Sequence, residues 1–223
     1  MKKSAHLVRF GIVVIAVLSL CFWASCASSD PSKTDFVSAP SMYHRAESDI
    51  RTDIQPITSA GKVLVVYYSQ GTAGRQVAED IAILTGADLE EIKEVHERKT
   101  GFFGFMLTGA ASTFKFSSKI EPPQRDPAQY DTVYVITPIW SWSLSPPVRS
   151  WLKLSAGKIR QAAFITISGD TKPDKVVKDM EKTGKVAPFA FVGYAERDFL
   201  PENRTVYVEK LKSVLNGLPG NKP

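Results

Sequence analysis

The stretch GKVLVVYYSQGTAGRQVAEDIA, from Gly61 to Ala82, decides how this chain is read. Val63, Leu64, Val65, Val66 and Tyr67 form a short apolar, β-branched run, the pattern of a strand covered on both faces in a parallel sheet. Val77, Ala78, Ile81 and Ala82 then recur at helical spacing. Between strand and helix lies Ser69-Gln70-Gly71-Thr72-Ala73-Gly74-Arg75. It offers two hydroxyls, two glycines that let backbone approach a ligand, and a helix N-terminus whose N–H groups favour an anion. Taken alone, the segment has two readings: a phosphate cradle, or a tight strand-to-helix turn without a ligand.

Downstream, strand and helix alternate. Ala87 to Lys93 (ADLEEIK) is a weaker strand suited to a sheet edge. Asp131 to Thr137 is a third strand, followed by a loop and a helix over Val148 to Leu154. Gln161 to Ile167 is a fourth strand, Asp174 to Thr183 a helix, and Val186 to Tyr194 a fifth strand. Glu202 to Leu215 closes the chain as a helix with Val206, Val208, Leu211 and Leu215 inward. Five strands separated by helices predict a three-layer α/β/α sandwich around a parallel sheet. Ligands of such sheets bind outside the carboxyl ends of the strands, which singles out the loops after strands one, three and four.

The loop after strand three, Thr137-Pro138-Ile139-Trp140-Ser141-Trp142-Ser143-Leu144-Ser145-Pro146-Pro147-Val148-Arg149, brings two tryptophans and several serines to that edge. Indole faces suit a flat aromatic ligand, and hydroxyls and backbone groups can bond its polar rim. The competing reading packs one of the two tryptophans under the loop. Pro146-Pro147 start the next helix, where a missing N–H costs nothing.

The chain has 223 residues, 43% of them hydrophobic, enough for one core and one domain of average size. Its net charge of +5 owes much to Lys2, Lys3 and Arg9, which have no acids among them; residues 26–223 carry 25 bases against 23 acids. With no basic run in the body, nucleic-acid binding is not expected. Residues 1–25 read as an export signal: a basic start, an apolar run from Phe10 to Phe22, and Trp23-Ala24-Ser25 ahead of Cys26. This resembles a bacterial lipoprotein signal, with Cys26 the lipidated residue; an uncleaved N-terminal anchor is the alternative. Either places the domain outside the cytoplasm, tethered to a membrane. No twin-arginine pair precedes the apolar run, so a cofactor would be acquired after export. Residues 26–59, rich in Ser, Asp and Pro, read as a flexible tether, 60–217 as the domain and 218–223 as a tail. Cys21 and Cys26 are the only cysteines, and His44 and His96 are scattered, so no metal centre is expected.

Across Gly61–Glu209 the chain resembles the flavodoxin-like proteins, especially the single-domain flavodoxins. The matching segments are YYS at Tyr67–Ser69, VAEDIA at Val77–Ala82, GADLEEI at Gly86–Ile92, TGFFGF at Thr100–Phe105, YDTVYVITPIW at Tyr130–Trp140 and PPVRSWL at Pro146–Leu152. The resemblance implies a five-stranded sheet in the order 2-1-3-4-5 and non-covalent flavin mononucleotide (FMN). The phosphate would rest on Ser69 to Arg75, and the ring between Pro138-Ile139-Trp140-Ser141-Trp142 and Ser168-Gly169-Asp170. The sequence departs from the family in two places. Gly71-Thr72-Ala73-Gly74 stands where the family has Thr-Gly-Asn-Thr, with Arg75 offering a compensating charge. Ser168-Gly169-Asp170 replaces a glycine-rich turn.

No catalytic acid, base or nucleophile is implied, because the flavin carries the redox chemistry. The expected function is an extracytoplasmic, membrane-tethered electron carrier serving a redox partner protein or a small acceptor. Two alternatives stay open: a flavin-free binding lipoprotein of the same fold, and an FMN-dependent NAD(P)H or quinone reductase. The aromatic patch Phe102, Phe103, Phe105 and Phe114 has three open roles, as cover of the ring, partner surface or core.

Overall fold

The computed structural model describes residues 49–57, 59, 61–95 and 116–217. The signal, Cys26, His44, His96, the phenylalanine patch and the 218–223 tail lie outside the described residues. Elements follow in the order α1 (Asp49–Asp53), β1 (Val63–Tyr67), α2 (Thr72–Thr85), β2 (Asp88–Glu91), β3 (Thr132–Trp140), β4 (Ser143–Leu144), α3 (Pro146–Leu154), β5 (Ala162–Ser168), α4 (Asp174–Gly184), β6 (Pro188–Ala195) and α5 (Arg204–Asn216).

The long strands lie in the order β2-β1-β3-β5-β6, all parallel, with the two-residue β4 antiparallel to the end of β3. Counting the long strands alone, this is the expected 2-1-3-4-5 order. Alternation along each strand builds the layers. Leu64, Val66, Val133, Val135, Ala162 and Phe164 pack with Val148, Trp151 and Leu152 of α3 and Val176, Val177 and Met180 of α4. The alternate residues Val65, Tyr134, Ala163 and Ile165 are also buried, on the opposite face. There α2 contributes Val77, Ala78 and Ile81, and α5 contributes Tyr207, Val208 and Leu211. Tyr207 donates a hydrogen bond to Asp80, joining these two helices.

Three expectations need correction. Residues 49–57, read as the end of a tether, fold onto the domain: Ile50 and Ile54 are buried, the Ile57 N–H donates to Leu84 O at 2.7 Å, and Arg204 Nε donates to Asp53 Oδ2 at 3.0 Å. Two isoleucines four residues apart make one turn's apolar stripe, which a polar composition hides. The last helix starts at Arg204 after two short 3₁₀ turns, and its Val206 is 43% exposed rather than inward. Tyr207 and Val214 take the inward positions. The segment after Thr137 is not an open loop: β3 runs on to Trp140 and reverses directly into β4.

Candidate flavin site

At the carboxyl end of β1 the chain turns once and enters α2 at Thr72, so the proposed phosphate loop consists of Ser69 to Gly71 plus the first helical turn. Gly71, in extended backbone, is the N-cap; it makes no side-chain cap, and the first turn carries no acid. The N-cap thus offers no side-chain oxygen to the first N–H groups of α2, and the first turn itself carries no acid, both of which favour an anion at a helix start. Ser69 Oγ donates to Gly71 O at 2.6 Å and bends the turn. Nothing lies within 4 Å of a side chain built on Gly71, so the approach is open. Gly74 is buried against Ser69 and Tyr68, and Thr72 is exposed. Arg75 points elsewhere: its guanidinium pairs with Glu91 at 3.4 Å at the end of β2. What this turn offers an anion is thus backbone N–H groups, while Arg75 is paired with Glu91.

The neighbouring Tyr67 is buried, and burial followed by the nearby Glu91 carboxylate pushes its phenol above the ordinary value, so it stays neutral.

The hairpin after β3 pairs Ile139 with Leu144 and Trp140 with Ser143, leaving Ser141 and Trp142 as the two turn residues. Both have left-handed backbone, with φ of 47° and 57°. This turn matches the twist of a hairpin, but the residues that suit it are Asn and Gly. A tryptophan there is a strained choice. Its side chain is 69% exposed beside the sheet end, whereas Trp140 is half-buried against the core. The two tryptophans therefore divide their roles, one anchored and one presented. Pro138 is half-buried and Ile139 is buried in the core, so of the five expected ring contacts Ser141 and Trp142 are exposed and Trp140 half-buried. Below the hairpin, Thr137 Oγ1 and Ser145 Oγ lie 2.9 Å apart, both fully buried, which ties the end of β3 to the start of α3.

The third loop is closed on itself. Ser168 Oγ accepts from the Thr171 N–H at 2.8 Å, and Asp170 pairs with Arg197 at 2.8 Å, both exposed. Gly169 is open, with nothing within 4 Å of an added Cβ.

The sequence reading omitted two residues that join these parts. Tyr68 lies edge-to-face against Trp140, with centroids 5.6 Å apart, and its hydroxyl donates to Glu94 Oε2 at 2.8 Å. The signal for Tyr68 was present in the Tyr67-Tyr68-Ser69 motif; Glu94 carried none, because its partner is 26 residues away. Among the described residues no cluster of His, Cys, Asp and Glu is arranged to hold a metal.

Solved structures of similar fold include a flavoprotein from Lactobacillus acidophilus NCFM in complex with FMN. It is 20% identical with a TM-score of 0.52, over 62% of this chain and 95% of that one. A flavoprotein candidate from Bacteroides eggerthii is 18% identical with a TM-score of 0.53, over 67% of this chain and 96% of that one. Another from Bacteroides uniformis is 19% identical with a TM-score of 0.50, over 66% and 98%. These likenesses concern the fold. No curated protein matches the chain. Residues 62–188, more than half of the chain, match the sequence model of the family described as Flavodoxin, and the chain belongs to that family.

Proposed function

We propose that this chain binds FMN non-covalently at the carboxyl ends of β1, β3 and β5 and works as an electron carrier. The observation that carries the reading is the Tyr68–Trp140 contact, which brings the uncapped start of α2 and the tryptophan hairpin to one place. The FMN bound by the Lactobacillus acidophilus protein and the family membership support it. The residues fit the cofactor's chemistry. The backbone N–H groups of Thr72 to Gly74, with Ser69, would take a phosphate, and Trp140 and Trp142 would take a flat ring.

When bound, FMN supplies the one- or two-electron chemistry. The protein's share is to hold and shield it. Trp142 would restrict water at the ring, and Ser141 and Gly169 would present backbone groups to its polar rim, while Arg75 is paired with Glu91. No residue of the site is assigned as acid, base or nucleophile.

We further infer that the domain works outside the cytoplasm, held to a membrane through lipidated Cys26; the apolar run before Cys26 is the support. Cys26→Ser is expected to move the chain from the membrane to the soluble fraction, and an unchanged distribution would remove the lipid anchor.

Titration of the purified chain with FMN tests the cofactor. One-to-one binding with quenching of both tryptophan and flavin fluorescence is expected. No binding at ~50 µM would leave the flavin-free reading.

A further inference from the structure

We propose that Glu94 and Tyr68 are positioning residues of the flavin site, acting in series to hold Trp140 for the ring. The inference rests on the FMN reading above and adds residues that the phosphate loop and hairpin do not include. Tyr68 follows β1 directly and precedes Ser69; its N–H donates to Ile136 O at 3.2 Å, which extends the tie to β3 by one residue. Its side chain is 8% exposed, yet its phenol finds a carboxylate, Glu94 Oε2, at 2.8 Å. For packing against Trp140 alone a phenylalanine would suffice. The hydroxyl and its charged acceptor fix how the ring is turned.

Glu94 is itself held from both sides. It forms an antiparallel bridge with Ile120, the Val95 N–H donates to Lys119 O at 3.0 Å, and the Glu121 N–H donates to Lys93 O at 2.8 Å. The order is thus a fixed backbone at Glu94, a charge-assisted bond to Tyr68, and an edge-to-face contact at 83° to Trp140. Trp140 is the last residue before the strained Ser141-Trp142 turn, so its orientation sets where that turn begins. A residue beyond β2 thereby governs a ring platform at the end of β3. The same carboxylate stands behind two aromatic rings, Tyr68 and Trp140, from the place proposed for the flavin, and its negative charge would oppose reduction there.

Two variants separate the parts: Tyr68→Phe breaks the link, and Glu94→Gln keeps an acceptor but removes the charge. The first readout uses the full chain without FMN, by following the indole N–H signals of its four tryptophans, assigned by replacing each in turn. Tyr68→Phe is expected to shift or broaden the Trp140 signal and leave that of Trp151, which lies in α3, in place. An unmoved Trp140 signal overturns the proposal. The second readout is FMN titration, where Tyr68→Phe is expected to weaken affinity about tenfold. In the third, Glu94→Gln is expected to make the flavin midpoint potential more positive. Wild-type chain that binds FMN while both variants match it in affinity and potential overturns this role alone. Wild-type chain that binds no FMN overturns the flavin reading, and this role with it.

Discussion

Gly74 and Ser69 occupy one space at the start of α2: a Cβ built on Gly74 would lie 2.9 Å from Ser69 Oγ and 3.0 Å from Ser69 Cβ. Gly74 therefore leaves room for the serine hydroxyl to tuck against the helix. Gly74→Ala gains up to about 1 kcal/mol in helix propensity but pushes Ser69 outward. FMN affinity is expected to fall about tenfold, with the thermal midpoint unchanged or slightly raised. Unaltered affinity would show that the position of Ser69 is immaterial to the phosphate.

The hairpin stores strain that a substitution can release. Ser141→Asn with Trp142→Gly supplies the residues that left-handed turn positions favour. Because Trp142 is largely exposed, little packing is lost, and the double variant should be about 1–2 kcal/mol more stable. FMN binding should weaken at the same time, since the presented indole is gone. Calorimetry and flavin titration on one preparation check both; a stabilised variant with full affinity would detach Trp142 from the ring.

Tyr134, the third residue of β3, is fully buried near the Phe189 ring, and its hydroxyl has no hydrogen-bond partner among the described residues. Burial pushes its phenol well above the ordinary range. Tyr134→Phe removes an unsatisfied polar atom, so stability should be unchanged or rise by about 1 kcal/mol in urea unfolding. A clear loss would reveal a partner for the hydroxyl.

Glu90 on the edge strand is buried, and burial raises its carboxyl above the ordinary 4.5 although the N–H groups of Gln124 and Arg125 donate to it at 3.1 and 3.0 Å. In the window just above 4.5 the folded chain keeps a proton that the unfolded chain has released. Its contribution to stability is thus fully present below 4.5 and is lost as pH rises through the folded-state value. Glu90→Gln should flatten the dependence of the urea midpoint on pH between 4.5 and neutrality, and an unchanged slope would assign the dependence to other groups.

The sequence alone determined the layers, while the strand order was implied only by the resemblance to the flavodoxins. Val63 to Tyr67 and Ala162 to Ile165 are apolar on both faces, which only a sheet covered on both sides accommodates, and the intervening helices force parallel connections. It also located the strand-to-helix turn and the tryptophan pair, because both signals are local. Tertiary structure decided what distance along the chain conceals. It paired Arg75 with Glu91, and drew Ile50 and Ile54 out of a polar run onto the domain. It also gave Trp140 a neighbour in Tyr68 and Tyr68 an acceptor in Glu94. Periodicity reports which face a residue takes within its own element. Which side chains meet across elements depends on register and packing, and those exist only once the sheet has formed.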